Sequence, residues 1–197
     1  MKRIFDAAAA TALLVLFSPI IAMAWVAVRL TSRGPGFFKQ VRMGRNCTTF
    51  AIYKMRSMYV DQERFIDLHQ LRRDEAAGKT FKSDRDPRVT PVGRFLRKTS
   101  IDELPQLWNV IRGDMSLVGP RPLSPHLLAP FSELATKRSR VRPGITGLWQ
   151  ISARELNTSV EYMSAYDLSY VDHYSLVKDL SIIMRTPQVV LSMVGAQ

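Results

Sequence analysis

The chain has 197 residues, with 28 lysines and arginines against 17 acids, a formal net charge of +11. That length suits one domain, and 46% hydrophobic residues are enough for a packed core. The basic surplus points to a polyanion: nucleic acid, an anionic membrane face or phosphorylated substrates. Cys47 is the single cysteine and His69, His126 and His173 lie far apart, which excludes a disulfide framework and a Cys/His zinc site.

The first element is apolar. Residues 7–28, "AAAATALLVLFSPIIAMAWVAV", carry no charge and are long enough to cross a bilayer as a helix. Lys2 and Arg3 precede them, and Arg29 and Arg33 follow. Three readings fit: a signal peptide with Ala22-Met23-Ala24 as its cleavage site, a straight span, or a hairpin that leaves on the face it entered. Ser18-Pro19 bears on the choice. Pro19 has no N–H, so the Val15 carbonyl loses its helical partner, and an unpaired carbonyl in hydrocarbon costs several kcal/mol. Ser18 could bond back to the Leu14 carbonyl, which bends a helix. A break is expected there, although kinked spans also tolerate proline. Positive charge at both ends favours both on the cytoplasmic face.

Beyond it, residues 31–44 read as a Gly/Pro turn followed by a short strand or hairpin, and 48–58 as a strand. Residues 60–77 look helical and charged, and 78–93 form a polar loop. A helix over 100–112 stops at Gly113. A short apolar stretch begins at 114 and enters a proline-rich loop, 126–140 is helical, and 141–152 is a turn and a short strand. From about 159 the chain reads helical, broken at Thr186-Pro187. Residues 176–195 are apolar but carry Lys178, Asp179 and Arg185, so they suit an interfacial amphipathic helix or an ordinary core-facing one better than a span.

Asp102 and Glu103 stand side by side among cations. Ser100 and Glu103 match a capping box, and Asp102 could itself be an N-cap. Neighbours on a helix do not share a face, so one acid can cap while the other points into a site. Lys54, Arg56, Arg85, Arg88, Arg94, Arg97, Lys98 and Arg121 lie in flanking segments, and arginine forks suit phosphate oxygens. A solvated, membrane-facing basic surface explains any single one of them better, except Arg121, which two prolines hold in "GPRP". Asp84-Arg85-Asp86 is a D-x-D, the metal–nucleotide signature of one glycosyltransferase class, but it precedes Pro87 and reads as a turn. No P-loop or Rossmann fingerprint is present. No helix-turn-helix, zinc-finger or RNA-binding signature supports nucleic acid. Hard oxygen ligands are what the chain offers a metal, which suits Mg²⁺.

The stretches "FAIYKMRSM" (50–58), "DPRVTPVGRFLRKTSIDELPQLWNVIRGDMSLVGPRP" (86–122), "RVRPGITGLWQIS" (140–152) and "YDLSYVDHYSLVKDLSIIMRT" (166–186) resemble the bacterial sugar transferases, the monotopic phosphoglycosyl transferases, in their minimal form. The resemblance covers nearly the whole chain and implies several things. Asp102 and Glu103 would be the catalytic dyad and the Mg²⁺ ligands, with Asp102 as nucleophile. The donor would be a UDP-sugar and the acceptor polyprenyl phosphate. UMP would leave, and a phosphosugar would pass through a covalent aspartyl intermediate at the start of glycan assembly. Lys54, Arg56, Arg88, Arg94, Arg97 and Arg121 are the candidate substrate ligands. Ser18-Pro19 matches the family's membrane-helix break and favours the re-entrant form.

The expected fold is therefore mainly α with small β elements (α+β). Residues 1–30 would be a re-entrant membrane helix. Residues 31–197 would be a compact cytoplasmic catalytic domain with interface-lying amphipathic helices, on the cytoplasmic face of a bacterial inner membrane. A homo-oligomer stays open, as does the sugar. The competing expectations are a GT-A-like glycosyltransferase using Asp84 and Asp86, and a non-catalytic basic protein that binds membrane or nucleic acid.

Overall fold

The computed structural model describes residues 2–65, 73, 86–152 and 159–192. The chain is mainly helical with two small sheets. Helix α1 (Lys2–Thr31) leads into the strands β1 (Phe37–Met43) and β2 (Thr49–Met55), an antiparallel hairpin in which Phe37 faces Met55 and Met43 faces Thr49. Helices α2 (Pro91–Lys98) and α3 (Gln106–Arg112) follow, and between them lies a 3-10 turn at Ile101–Glu103. Strand β3 (Ser116–Val118) pairs in parallel with β4 (Gly144–Thr146), and the short helices α4 (Pro125–Leu128) and α5 (Ser132–Arg138) fill the crossover. Helices α6 (Leu148–Ser152), α7 (Val160–Asp172) and α8 (Leu176–Leu191) complete the order.

Helix α1 does not end at Ser18-Pro19. Pro19 deprives the Val15 carbonyl of its N–H, and the Ser18 hydroxyl donates to that same carbonyl at 2.8 Å. The side chain makes good the lost bond, so the helix continues. The partner is Val15 rather than the expected Leu14.

Both ends of α1 are fastened to the rest of the chain. At the start, Lys2 pairs with Asp179 of α8 at 2.6 Å, Arg3 donates to the carbonyls of Val110 and Ile111 at 2.5 and 2.6 Å, and Ser116 donates to Asp6 at 2.7 Å. Ala10 is fully buried with Ile52, Val110, Met115 and Ile182. At the far end, Ala24 and Val28 pack on Met55 and Leu96. The middle faces outward, with Val15 70% and Leu16 66% exposed.

Several expectations shift. Helix α2 begins inside the stretch expected as a polar loop (78–93) and runs on over residues without an assignment; Thr90 caps it by accepting from the Gly93 N–H at 2.8 Å, and Pro91 starts it. The 100–112 helix is a 3-10 turn followed by α3, stopped as expected at Gly113, whose φ of 95° suits a residue without a Cβ. The strand expected after 144 ends at Thr146, and Leu148–Ser152 is helical. The C-terminal break falls between α7 and α8, while Pro187 sits inside α8. Residues 66–72 and 74–77 of the expected 60–77 helix lie outside the described residues, and Gln62–Arg64 forms a 3-10 turn.

Tyr170, 1% exposed, donates to Asp179 Oδ1 at 2.6 Å, and burial raises its hydroxyl well above the ordinary tyrosine range. Asp179 thus joins α1, α7 and α8. Tyr170→Phe leaves a buried carboxylate oxygen short of a donor and should lower stability by about 1–3 kcal/mol in urea titrations of the detergent-solubilised protein; an unchanged midpoint would show the network to be slack.

Candidate active site

The acidic pair lies in the 3-10 turn between α2 and α3. Ser100, at φ 56°, adopts the left-handed conformation, and its carbonyl accepts from the Glu103 N–H at 3.1 Å. Ser100 makes no side-chain cap. The capping-box reading therefore fails, and the Glu103 carboxylate turns to cations instead. Its Oε1 accepts from Lys54 Nζ at 2.8 Å and from Arg121 at 3.3 Å. Lys54 comes from β2 and Arg121 from the loop after β3, so Glu103 gathers three segments.

Asp102 differs. It is 7% exposed, and among the described residues no donor reaches its carboxylate. Burial pushes its carboxyl up to about 6 against the pull of Lys54; Glu103 pushes the same way, while Arg97 and Arg121 pull down. Asp102 thus sits in a ring of charge without being tied to any of it.

Arg121 is held by its backbone. The Gly119 N–H donates to the Thr146 carbonyl at 3.0 Å and the Gly144 N–H to the Pro120 carbonyl at 2.9 Å. This approach leaves no room for side chains: a Cβ on Gly144 would lie 2.1 Å from the Gly119 nitrogen, and one on Gly147 2.2 Å from the Gly119 oxygen. Arg138 donates to the Arg121 carbonyl at 2.9 Å and pairs with the buried Asp167. Asp167 is raised by burial, with Arg138 opposing.

The other cations separate. Arg97 of α2 donates to Ser57 at 2.8 Å and lies close enough to bear on Asp102. Arg94 is exposed on the same helix. Arg56 is buried and donates to the carbonyls of Val28, Ser32 and Arg33, closing the C-terminus of α1. The Val28 carbonyl also accepts from the Ser32 N–H at 3.2 Å, so the guanidinium adds a second bond there and ties down the two residues after the helix. Arg88 grips both oxygens of Asp86 through its Nε and terminal nitrogens. Burial alone would raise Asp86, but the Arg88 side chain and N–H together hold its carboxyl below the ordinary range. Asp86 is therefore engaged as an ion-pair partner; Asp84 and Arg85 lie outside the described residues. The same grip ties Arg88 into this loop.

Arg138, Asp167 and Asn109 went unnoticed at the sequence level. Asn109 carried no local signal, since helical spacing puts it on the side of α3 away from Leu107 and Ile111.

This chain belongs to the bacterial sugar transferase family, whose model matches residues 1–193. It is 40% identical over its full length to the undecaprenyl-phosphate galactose phosphotransferase of Salmonella typhimurium, of which it covers 41%. It is 44% identical over 94% of its length to the undecaprenyl-phosphate glucose phosphotransferase of Komagataeibacter xylinus, of which it covers 35%. The exopolysaccharide production protein ExoY of Rhizobium meliloti is 42% identical over 97% of this chain, which covers 86% of that protein. The chain thus spans about two fifths of the length of several relatives and most of the length of another.

Burial of Asp102 has a stability consequence. Its folded-state pKa exceeds the unfolded value, so the folded chain holds the proton more tightly. Its contribution to stability is complete below about pH 4 and is lost as the pH rises through about 6. Asp102→Asn removes that penalty and should stabilise the divalent-cation-free protein at pH 8 by up to about 3 kcal/mol, a gain that shrinks towards pH 4. Thermal melts across that range test it; a destabilised variant at pH 8 would show that the carboxylate is held favourably.

Proposed function

We propose that this chain transfers a sugar 1-phosphate from a UDP-sugar to polyprenyl phosphate and releases UMP. The observation that carries the reading is Asp102: a buried carboxylate, bonded to no donor among the described residues, beside a glutamate held by Lys54 and Arg121. An acid that only capped a helix would accept backbone N–H groups. A nucleophile needs its lone pairs unengaged and its solvation reduced.

In the first step an Asp102 oxygen attacks the phosphorus that bears the sugar. The bond from that phosphorus to the bridging oxygen breaks, and its electron pair leaves with UMP. An acyl phosphate remains on Asp102. In the second step a phosphate oxygen of the lipid attacks the same phosphorus and the carboxylate departs, which restores the enzyme. Arg97 and Arg121 act electrostatically on Asp102 and would offset charge on the transferring group, while Lys54 bonds Glu103.

The residues suit Mg²⁺. Among the described residues no cluster of three or more His, Cys, Asp or Glu side chains gathers. Mg²⁺ ordinarily takes one or two carboxylates and completes its shell with water and substrate phosphates. Asp102 and Glu103 would hold it, and when bound it would neutralise charge on the diphosphate.

The same reading places the chain on the cytoplasmic face of a bacterial inner membrane, with α1 re-entrant. A 30-residue helix is about 45 Å long, enough to cross a hydrocarbon core of about 30 Å. A crossing would carry Lys2 and Arg3 to the far face, away from Asp179, Val110 and Ile111. The contacts at both ends of α1 support a helix that dips and returns. An accessible tag at Met1 should label from the cytoplasmic side only in intact spheroplasts, and replacing Ser18 and Pro19 by Ala and Leu should move a fraction to the other side. Labelling of the parent from outside would refute the re-entrant form.

The chemical test is a panel of UDP-sugars with polyprenyl phosphate and Mg²⁺. UMP release supports phosphosugar transfer, whereas UDP release would mean glycosyl transfer. The parent given donor and Mg²⁺ without acceptor should release UMP in a burst no larger than the enzyme concentration and gain the mass of one phosphosugar on the peptide that contains Asp102. Asp102→Asn should stay folded and lose turnover. UMP that appears only after the lipid is added, with no adduct on rapid quenching, would mean direct transfer.

A further inference from the structure

Asn109 is fully buried in the middle of α3. Its Oδ1 accepts from the Tyr53 N–H at 3.0 Å, and its Nδ2 donates to the Ala51 carbonyl at 2.8 Å. A residue on a parallel neighbouring strand would take up those same two groups, one either side of Ile52. The amide thus acts as one rung of a sheet that is otherwise a hairpin, on the edge of β2 away from β1. Nδ2 also donates to Asp114 at 3.2 Å, which orients the amide so that oxygen and nitrogen cannot exchange roles.

The place of that rung matters. Tyr53 precedes Lys54, whose ammonium lies 2.8 Å from Glu103, and α3 begins three residues after Glu103. Strand and helix therefore meet at two polar points, the amide rung and the ion pair. The rung joins a rigid strand edge to the middle of a buried helix. The ion pair joins two longer side chains that are each partly exposed. Of the two, the rung fixes distance better. Its length sets how far Lys54 stands from Glu103 and, through the turn, where Asp102 lies.

We infer that Asn109 is a positioning residue: its side-chain amide fixes the register between the strand that carries Lys54 and the helix that follows Asp102-Glu103. This rests on the phosphosugar-transfer reading above. Asn109 touches no reacting atom in this account and acts through Lys54 and Glu103.

The experiment is a double-mutant cycle on the full-length protein in detergent, with UMP release as the assay. Asn109→Ser loses the reach to β2. Asn109→Gln keeps the amide but lengthens the rung by one methylene. Both should lower kcat by about 10- to 100-fold, the scale of a misplacement near 1 Å. The KM for donor should stay within about threefold, because the donor's remote contacts are untouched. In a Lys54→Met background, Asn109→Ser should lower kcat by less than about threefold, since the residue it positions is already gone. An equal fold-loss in both backgrounds would overturn the inference, as would a Gln variant with parental kcat. Loss of cooperative melting in both Asn109 variants would assign the residue to the fold alone and also overturn it. Failure of the underlying reading is distinguishable: there the parent itself would release no UMP.

Discussion

The Glu103 carboxylate is the joint on which the site depends. It draws together a lysine from a hairpin strand, an arginine from a loop after a parallel strand, and its own 3-10 turn. Those segments lie about fifty and twenty positions away in sequence, so no local preference brings them together. The pair of acids would repel if both were ionised without compensation. Two cations on Glu103 compensate one charge directly. Asp102 is left buried and raised, with no donor of its own among the described residues. Adjacent acids of the same chemistry thus acquire different environments, and in the proposed reaction that difference would separate a holder from an attacker.

The apolar helix is part of the same construction. Arg3 donates to the last carbonyls of α3, the helix that follows the dyad, and Arg56 closes the C-terminus of α1 from the strand that carries Lys54. Each end of the anchor is therefore one element away from a dyad contact. These contacts also change the meaning of the net charge. Arg3, Arg56, Arg88 and Arg138 are engaged with protein carbonyls or carboxylates, so part of the +11 works inside the fold. The sequence-level inference of a polyanion partner rests on the cations around the dyad, Lys54 and Arg121 on Glu103 and Arg97 on Ser57, together with exposed ones such as Arg94.

What could be read from the sequence was what depends on neighbours. The strand at 49–55, the stop at Gly113 and the stiff arginine between prolines follow from local pattern. The dyad itself was reached through resemblance, because two adjacent acids have no specificity of their own. What stayed hidden depends on partners distant in sequence. Arg56 looks like any basic residue beside a site until the carbonyls around the end of α1 lie next to it. Pro19 signals an end to the helix unless the preceding hydroxyl reaches the orphaned carbonyl, and here it does. Arg88 was legible in principle, since an aspartate two residues before an arginine across a proline can close a tight fork. Asn109 could not be singled out from local pattern, and its two backbone partners could not be named without the fold.

The surface near the site bears on why the chemistry would run in two steps. Phe95 of α2 and Trp108 of α3 are 60% and 48% exposed, and these helices flank the dyad. Helix α8 turns Val177, Leu180 and Met184 outward while burying Asp179 and Ile182. Together with the outward middle of α1, this is more exposed apolar side chain than water alone favours, and it supports helices that lie in a membrane interface. One substrate of the proposed reaction is water-soluble and the other is confined to lipid. A carboxylate that accepts the phosphosugar from the first can wait for the second. The two anionic substrates then need not share the site, and the cations around Asp102 offset the charge of one phosphoryl group at a time.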